Sequence, residues 1–186
     1  YPNISIDVLP VPHFVSLSRR EADIAITLER PARGPYVTSK LCDYQLALYA
    51  TPQYLANHPP IRGRADLNDH RFVNYVQDLA FSAQLLYLDE IAPNAVSTLR
   101  STSVLAQHQA VLQSRALAIL PCFLADDDPR LSPVLAAEIQ LTRQFWMSYS
   151  EDLRRLKRIT TVASYLSERA HASQKRLLGH YASTCT

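Results

Sequence analysis

The sequence predicts an α/β fold built around a parallel sheet. Apolar and polar residues alternate over residues 4–10, which is the pattern of a strand with one covered face. A short helix is predicted around residues 14–22, and the apolar run 23–28 predicts a strand covered on both faces. Strand, helix and strand in this order form a βαβ unit, whose two strands run parallel.

The rest of the chain continues to alternate strands with helices. Further strands are predicted at residues 44–50, 72–76, 96–99, 117–121 and 145–149. A short helix at 53–57 is followed by Pro59 and Pro60, which cannot continue it. The clearest helix has the apolar stripe Val104, Leu105, His108, Val111 and Leu112. A last helix is predicted to start near Ser150 and to fray beyond Ser173.

Composition limits the possible functions. A chain of 186 residues, 47% of them hydrophobic, can form one buried domain or two small lobes. A net charge of +2 is too small to indicate nucleic-acid binding. No apolar run approaches the ~20 residues that span a bilayer, and the start resembles no signal peptide. We therefore expect no membrane association and a cytoplasmic protein.

The three cysteines lack the short paired spacings of metal sites. We expect free thiols, with no metal and no cofactor. An enzyme using Cys122 or the run Asp126, Asp127, Asp128 would be an alternative, but no motif supports it. That acidic run, just before Pro129, is typical of a polar turn.

Several strings in order resemble the substrate-binding domain of LysR-type transcription regulators. They are READIAI at 20–26, YATPQYLA at 49–56, ADLNDH at 65–70, LRSTS at 99–103, LAILP at 117–121, Phe145-Trp146, and LRRL at 153–156. The resemblance spans nearly the whole chain. It implies a type 2 periplasmic-binding-protein-like fold, with two Rossmann-like lobes joined by two crossover strands near 44–50 and 145–149.

The same resemblance implies the domain organisation. Lobe I would be built from 1–40 and 148–186, and lobe II from 41–147. Family members begin with a winged helix-turn-helix, a linker helix, and a strand and helix of lobe I, and we expect this chain to lack all of these. DNA would then be bound only through that missing domain, and the protein would form a homodimer or tetramer. An exported solute-binding protein of the same fold is the alternative.

The effector would be a small molecule held between the lobes, and a carboxylate fits one group of candidate residues. Ser101, Thr102 and Ser103 stand between a strand and a helix, where free N–H groups and the helix dipole favour an anion. Hydroxyls at this position also serve as ordinary helix caps.

Other effector-binding candidates follow from strand ends and from the family's cleft. Thr27 and Leu28 end a strand, where ligands of open α/β sheets bind, although Leu28 also suits the core. Cys122 and Phe123 follow the strand that closes at Pro121, although a buried cysteine is more often a small hydrophobe. Tyr149 on the second crossover packs the hinge or reaches the effector.

Two further local features, a basic cluster and a turn without glycine, are not assigned to the effector site. The basic cluster Arg154, Arg155, Lys157 and Arg158 is typical of a solvated face or part of a dimer surface. Ser114, Arg115 and Ala116 stand where family members commonly have glycines, and a left-handed helix cap there costs alanine about 1 kcal/mol relative to glycine. We expect the turn to differ at this point.

Overall fold

A computed structural model describes residues 1–10, 21–31 and 34–180, and the chain divides into two compact units. The first unit contains residues 1–42 and 144–173. The second contains residues 43–143 and the chain from Gln174 onward. The expected lobes differ from these units most at the C-terminus, where the chain after Ser173 groups with the second unit.

The first unit is formed by a short strand, parts of two longer strands and a helix. Strand β1 (Ile24–Thr27) pairs antiparallel with the last strand of the chain, β7 (Gln140–Ser150), whose beginning lies in the second unit. Helix α5 (Lys157–Ala172) buries Ile159 and Ala163, and a 3₁₀ turn (Glu151–Leu153) precedes it. The N-terminal part of the long strand β2 (Tyr36–Ala50) also belongs here.

Two predictions for this unit are wrong. Residues 4–10 form no strand, and Ile6 and Val8 are 63% and 80% exposed. An alternating pattern alone does not form a strand, because its backbone needs a neighbouring strand to bond, and none of the described strands pairs with it. The parallel pairing expected from a βαβ unit is also absent from the described residues, since β1 pairs antiparallel with β7. The helix predicted at 14–22 lies mostly outside the described residues.

In the second unit, the strands form a mixed sheet with the buried strand β5 in its interior. The C-terminal half of β2 pairs antiparallel with β5 (Leu117–Pro121) and with β6 (Ser132–Val134). Strand β3 (Arg71–Asn74) lies between β5 and β4 (Val96–Arg100) and is parallel to both. Every residue of β5 is buried.

Short helices connect these strands. They are α1 (Pro52–Asn57), α2 (Tyr87–Ile91), α3 (Val104–Val111) and α4 (Cys122–Ala125), with 3₁₀ turns at Arg64–Asp69, Gln77–Leu79 and Ala83–Leu85. A further short helix, α6 (Gln174–Leu178), follows α5 after the last strand. Thr51 caps α1 by accepting a hydrogen bond from the Tyr54 N–H. The predicted helices at 53–57 and 104–112 are confirmed to within a residue.

The turn after α3 keeps a left-handed residue without a glycine. Ser114 has φ of 56°, and its hydroxyl accepts a hydrogen bond of 2.8 Å from the Thr51 hydroxyl. A serine therefore occupies the conformation that glycine favours.

The end of the chain differs from its prediction. Helix α5 begins at Lys157 rather than near Ser150, because a 3₁₀ turn comes first. Beyond Ser173 the chain does not fray at once, since α6 packs against α4.

Candidate functional site

The carboxyl ends of three parallel strands meet at one edge of the second unit. Asn74 at the end of β3 is level with Arg100 at the end of β4, and Val73 is level with Ala118 of β5. The residues that follow these strands therefore share this edge, where ligands bind in open α/β sheets. Ser101, Thr102 and Ser103 follow β4, and Cys122 and Phe123 follow β5.

Two of the three hydroxyl residues at the start of α3 support the local backbone. The Ser101 N–H donates to the Asn74 carbonyl at 3.0 Å, and the Ser101 hydroxyl accepts from the Ser103 N–H at 3.1 Å. Ser103 is the N-cap and accepts from the Ala106 N–H at 3.4 Å. The half-buried Thr102 hydroxyl has no partner among the described residues. Thr102 is therefore the residue of the three whose side chain remains available to a ligand.

Two buried amides beside this helix start were missed by the sequence reasoning. Gln107 is 0% exposed, and its Nε2 donates to the Ser101 carbonyl at 2.8 Å, which fixes Oε1 as the free acceptor. Asn74 is 4% exposed. Neither Gln107 Oε1 nor Asn74 Oδ1 has a donor within the described part of the chain. A signal existed in the sequence, since Asn74 interrupts the apolar strand Phe72-Val73-Asn74-Tyr75.

Cys122 lies in the core rather than on an open surface. It is 1% exposed and packs in the cluster that contains Ala47, Val111 and Leu120. Burial raises the pKa of the Cys122 thiol to about 11, so the thiol is protonated near neutral pH and is a poor nucleophile. Phe123 is half-buried and contacts the Tyr44 ring edge-on, with ring centroids 6.1 Å apart.

Beside Cys122 lies a buried hydrogen bond between a tyrosine and a carboxylate. The Tyr49 hydroxyl donates to Asp126 Oδ1. Burial, and then the hydrogen bond with Asp126, raise the pKa of Tyr49, so the phenol stays protonated. Asp126 Oδ2 accepts from the His180 N–H at 2.9 Å. Asp126 is therefore a buried acceptor with a donor on each oxygen.

The candidates of the first unit lie apart from one another along one strand pair. Thr27 is opposite Trp146, whereas Tyr149 is opposite Ile24, three residues further along the ladder. The Thr27 hydroxyl donates to the Glu29 carbonyl at 2.7 Å, and Leu28 is buried. Tyr149 is half-buried.

Other polar groups form local pairs. His108 is a core histidine whose Nε2 lies 3.2 Å from Asp128 Oδ2, and hydrogen bonds from Arg130 hold the pKa of Asp128 at about 2. Residues 1–10, 21–31 and 34–180 contain no group of three or more His, Cys, Asp or Glu side chains that could hold a metal ion.

A surface depression of about 590 Å³ lies in the first unit. It is lined by Glu151, Asp152, Arg154 and Arg155, and Arg154 pairs with Glu151 at 3.0 Å. Its lining carries charges of both signs on mostly exposed side chains, which favours solvation over selective binding of one small molecule.

Comparison with known proteins gives a consistent result. The family described as LysR substrate binding domain matches residues 1–171. The HTH-type transcriptional regulator PtxR of Pseudomonas aeruginosa is 28% identical over 127 residues, which are 67% of this chain and 40% of that protein. The chain thus spans less than half the length of this relative.

Solved structures show the same fold. The regulatory domain of CrgA, a LysR-type transcriptional regulator from Neisseria meningitidis, has a TM-score of 0.70 at 22% identity, covering 83% of this chain and 78% of that one. Full-length AphB, the Vibrio cholerae virulence activator of the LTTR family, has a TM-score of 0.73 at 16% identity, covering 91% and 59%. In the described residues, no helix has both the length and the apolar character needed to cross a membrane. The chain belongs to the LysR substrate-binding domain family and has the periplasmic-binding-protein-like fold of LysR regulatory domains.

Proposed function

We propose that this effector-binding domain senses a small carboxylate at the start of α3 in the second unit. The observation that carries the proposal lies at the start of α3, beside the buried Gln107 and Asn74. Within the described residues, the Thr102 hydroxyl, Gln107 Oε1 and Asn74 Oδ1 have no hydrogen-bond partner. Buried polar groups without partners are rare in proteins, and those that occur indicate a missing water, ion or ligand.

The chemistry of this edge fits a small acid. The first N–H groups of α3, those of Val104 and Leu105, have no acceptor inside the helix, and the helix dipole is positive at this end. A carboxylate there accepts from these groups and from the Thr102 hydroxyl. Gln107 Oε1 and Asn74 Oδ1 are acceptors, so we propose that the acid also carries a hydroxyl or amino group, which donates to them directly or through a water.

The test is a thermal-shift screen of small carboxylates, with and without a hydroxyl or amino group. A ligand that binds the folded state raises Tm. We expect a hydroxy or amino acid to stabilise the wild type and Thr102→Val to lose that shift. Thr142→Val, the same change at an exposed position of β7, is the matched control and keeps it.

Hits that shift wild type and Thr102→Val equally would contradict the site. Thr27 of the first unit is a second candidate contact, so Thr27→Val is measured in the same screen. Leu28, Phe123 and Tyr149 are further candidates, and they are substituted once a stabilising compound has been found. Cys122 is left out of the proposed site because its side chain packs in the apolar cluster with Ala47, Val111 and Leu120.

We further propose that the whole regulator acts in the cytoplasm as a homo-oligomer and binds DNA through a domain outside residues 1–186. The support is the family, whose members are transcription regulators rather than enzymes, and the helix-turn-helix in the name of PtxR. The family match argues against an exported solute-binding protein. A DNA-binding assay tests the first part: we expect the whole regulator to bind its operator and residues 1–186 alone not to bind it. Light scattering of the whole regulator tests the oligomeric state.

A further inference from the structure

A short segment near the end of the chain lies on the second unit. This C-terminal cover, residues 174–180, comprises α6, Gly179 and His180, and α6 packs against α4. At its start, Gln174 Nε2 donates to the Asp43 carbonyl at 3.2 Å. In its middle, Arg176 lies 3.2 Å from a carboxylate oxygen of Asp127. The cover is basic and the turn it meets is acidic, so the charges of the two are complementary.

The cover fits closely where it meets Cys122. Gly179 has φ of 75°, a conformation that favours glycine. A Cβ added there would lie 2.5 Å from Cys122 Cβ and 2.7 Å from Asp126 Oδ2. A larger residue would therefore be excluded both by its backbone conformation and by lack of space.

The next residue bonds the cover to a buried charge. The Asp126 side chain is 6% exposed, and its Oδ2 accepts the His180 N–H at 2.9 Å. The His180 ring is mostly exposed, with Nδ1 3.9 Å from the same oxygen, so the backbone makes the shorter contact. Removing the cover takes one donor from a buried carboxylate and uncovers the Cys122 thiol beside it. An uncovered carboxylate becomes hydrated, which limits the cost of opening.

The ion pair between the cover and Asp127 is weak. The Arg176 and Asp127 side chains are both largely exposed, and exposed ion pairs contribute about 0–1 kcal/mol. Segments held by few buried contacts open without unfolding of the rest.

We infer that residues 174–180 form a reversible cover over the buried group of Tyr49, Cys122 and Asp126, and that opening of this cover controls the access of small molecules to it. The inference goes beyond the proposed function, because neither the cover nor Tyr49, Cys122 and Asp126 belongs to the proposed carboxylate site.

The test compares two glycine substitutions in the full chain. Gly179→Val displaces the cover, whereas Gly63→Val is the matched control, since nothing lies within 4 Å of a Cβ at Gly63. Alkylation by N-ethylmaleimide under native conditions is followed by peptide mass spectrometry, which separates Cys122 from Cys42 and Cys185. We expect Cys122 of Gly179→Val to react faster by about tenfold or more, as for a loss of local protection, with Gly63→Val like wild type. Equal rates in the two variants would overturn the inference.

If Gly179→Val does not fold, hydrogen exchange of the wild type tests whether the cover opens separately from the rest of the second unit. Amides of residues 174–180 are expected to exchange more slowly than in an unstructured peptide but well before those of β5. Exchange at the unstructured rate would show that no cover is docked. Exchange together with β5 would show that it does not open separately. Either result would overturn the inference.

Discussion

At the scale of single residues, a buried histidine makes stability depend on pH. His70 is fully buried, and its Nδ1 lies 3.0 Å from the Tyr54 hydroxyl, which also lies 3.4 Å from the Arg71 N–H. A hydroxyl that accepts from Arg71 can donate to a neutral imidazole. Burial, and then the nearby His58, lower the pKa of His70, against smaller opposing effects of Asp69, Pro59 and Asp66.

A lowered folded-state pKa means that the unfolded chain takes up this proton more readily. The stabilising contribution is therefore complete above about pH 6.5, the ordinary histidine value, and is lost as the pH falls below it. We expect Tm to fall between about pH 7.5 and about pH 5.5, and to fall less in His70→Gln. His171→Gln, at an exposed histidine of α5, is the control. An unchanged pH dependence in His70→Gln would show that other groups cause it.

Ser114 allows the strain of one residue to be measured. Its left-handed φ favours glycine, whereas its hydroxyl bonds to Thr51. Ser114→Gly and Ser114→Ala both lose this bond, so their difference isolates the backbone. We expect the glycine variant to be more stable than the alanine variant by about 1 kcal/mol in urea unfolding. An alanine variant as stable as the glycine variant would mean that the turn changes conformation on substitution.

At the scale of elements, helix α3 shows what a periodic pattern predicts and where it fails. The helix was predicted from its apolar stripe, and the structure confirms its position. Its buried residues are Gln107, His108 and Val111, whereas Leu105 is 62% exposed. Hydropathy could not place Gln107 in the buried face, because a buried glutamine depends on a partner, here the Ser101 carbonyl, that only the fold supplies.

Two apolar residues of α3, Val111 and Leu105, should respond very differently to truncation. Val111 is completely buried and belongs to the core cluster. Val111→Ala removes buried methyl groups and leaves a cavity, so we expect a loss of about 2 kcal/mol in the free energy of unfolding. Leu105→Ala should change it by less than about 0.5 kcal/mol. Chemical denaturation of the two variants side by side measures both, and comparable losses would place Leu105 in a buried face.

Most predicted strands are present, although residues 4–10 form none, and some pairings could not be predicted from local sequence. The runs at 117–121 and 96–99 are strands in the structure. The partner of β1 is β7, more than a hundred residues away, and no local pattern specifies such a pairing. The candidate site has the same limit. Ser101, Thr102 and Ser103 could be proposed from the sequence because a strand end and a helix start adjoin there, whereas the close approach of Gly179 to Cys122 joins distant segments.

At the scale of the whole molecule, the buried core is divided unequally. In the described part of the chain, most buried apolar side chains belong to the second unit, where β5 is covered along its whole length. The first unit contributes a short set: Ala25, Leu28, Cys42, Met147, Ile159 and Ala163. Because buried apolar area is the main stabilising contribution to folding, the first unit should open at a lower free energy.

This inequality predicts an order of hydrogen exchange in the native protein. Among the described residues, β1 is paired along one edge only and has the half-exposed Ile26, whereas β5 lies between β2 and β3. Amides of β1 should therefore exchange before those of β5. Mass spectrometry of peptides covering the two strands measures this directly. An effector bound at the start of α3 should slow exchange in the second unit, because it stabilises only states in which its site is folded. Exchange of β1 should therefore still precede that of β5 when the effector is bound. If β1 exchanged as slowly as β5, the two units would unfold as one cooperative body, and the unequal division of the core would have no energetic consequence.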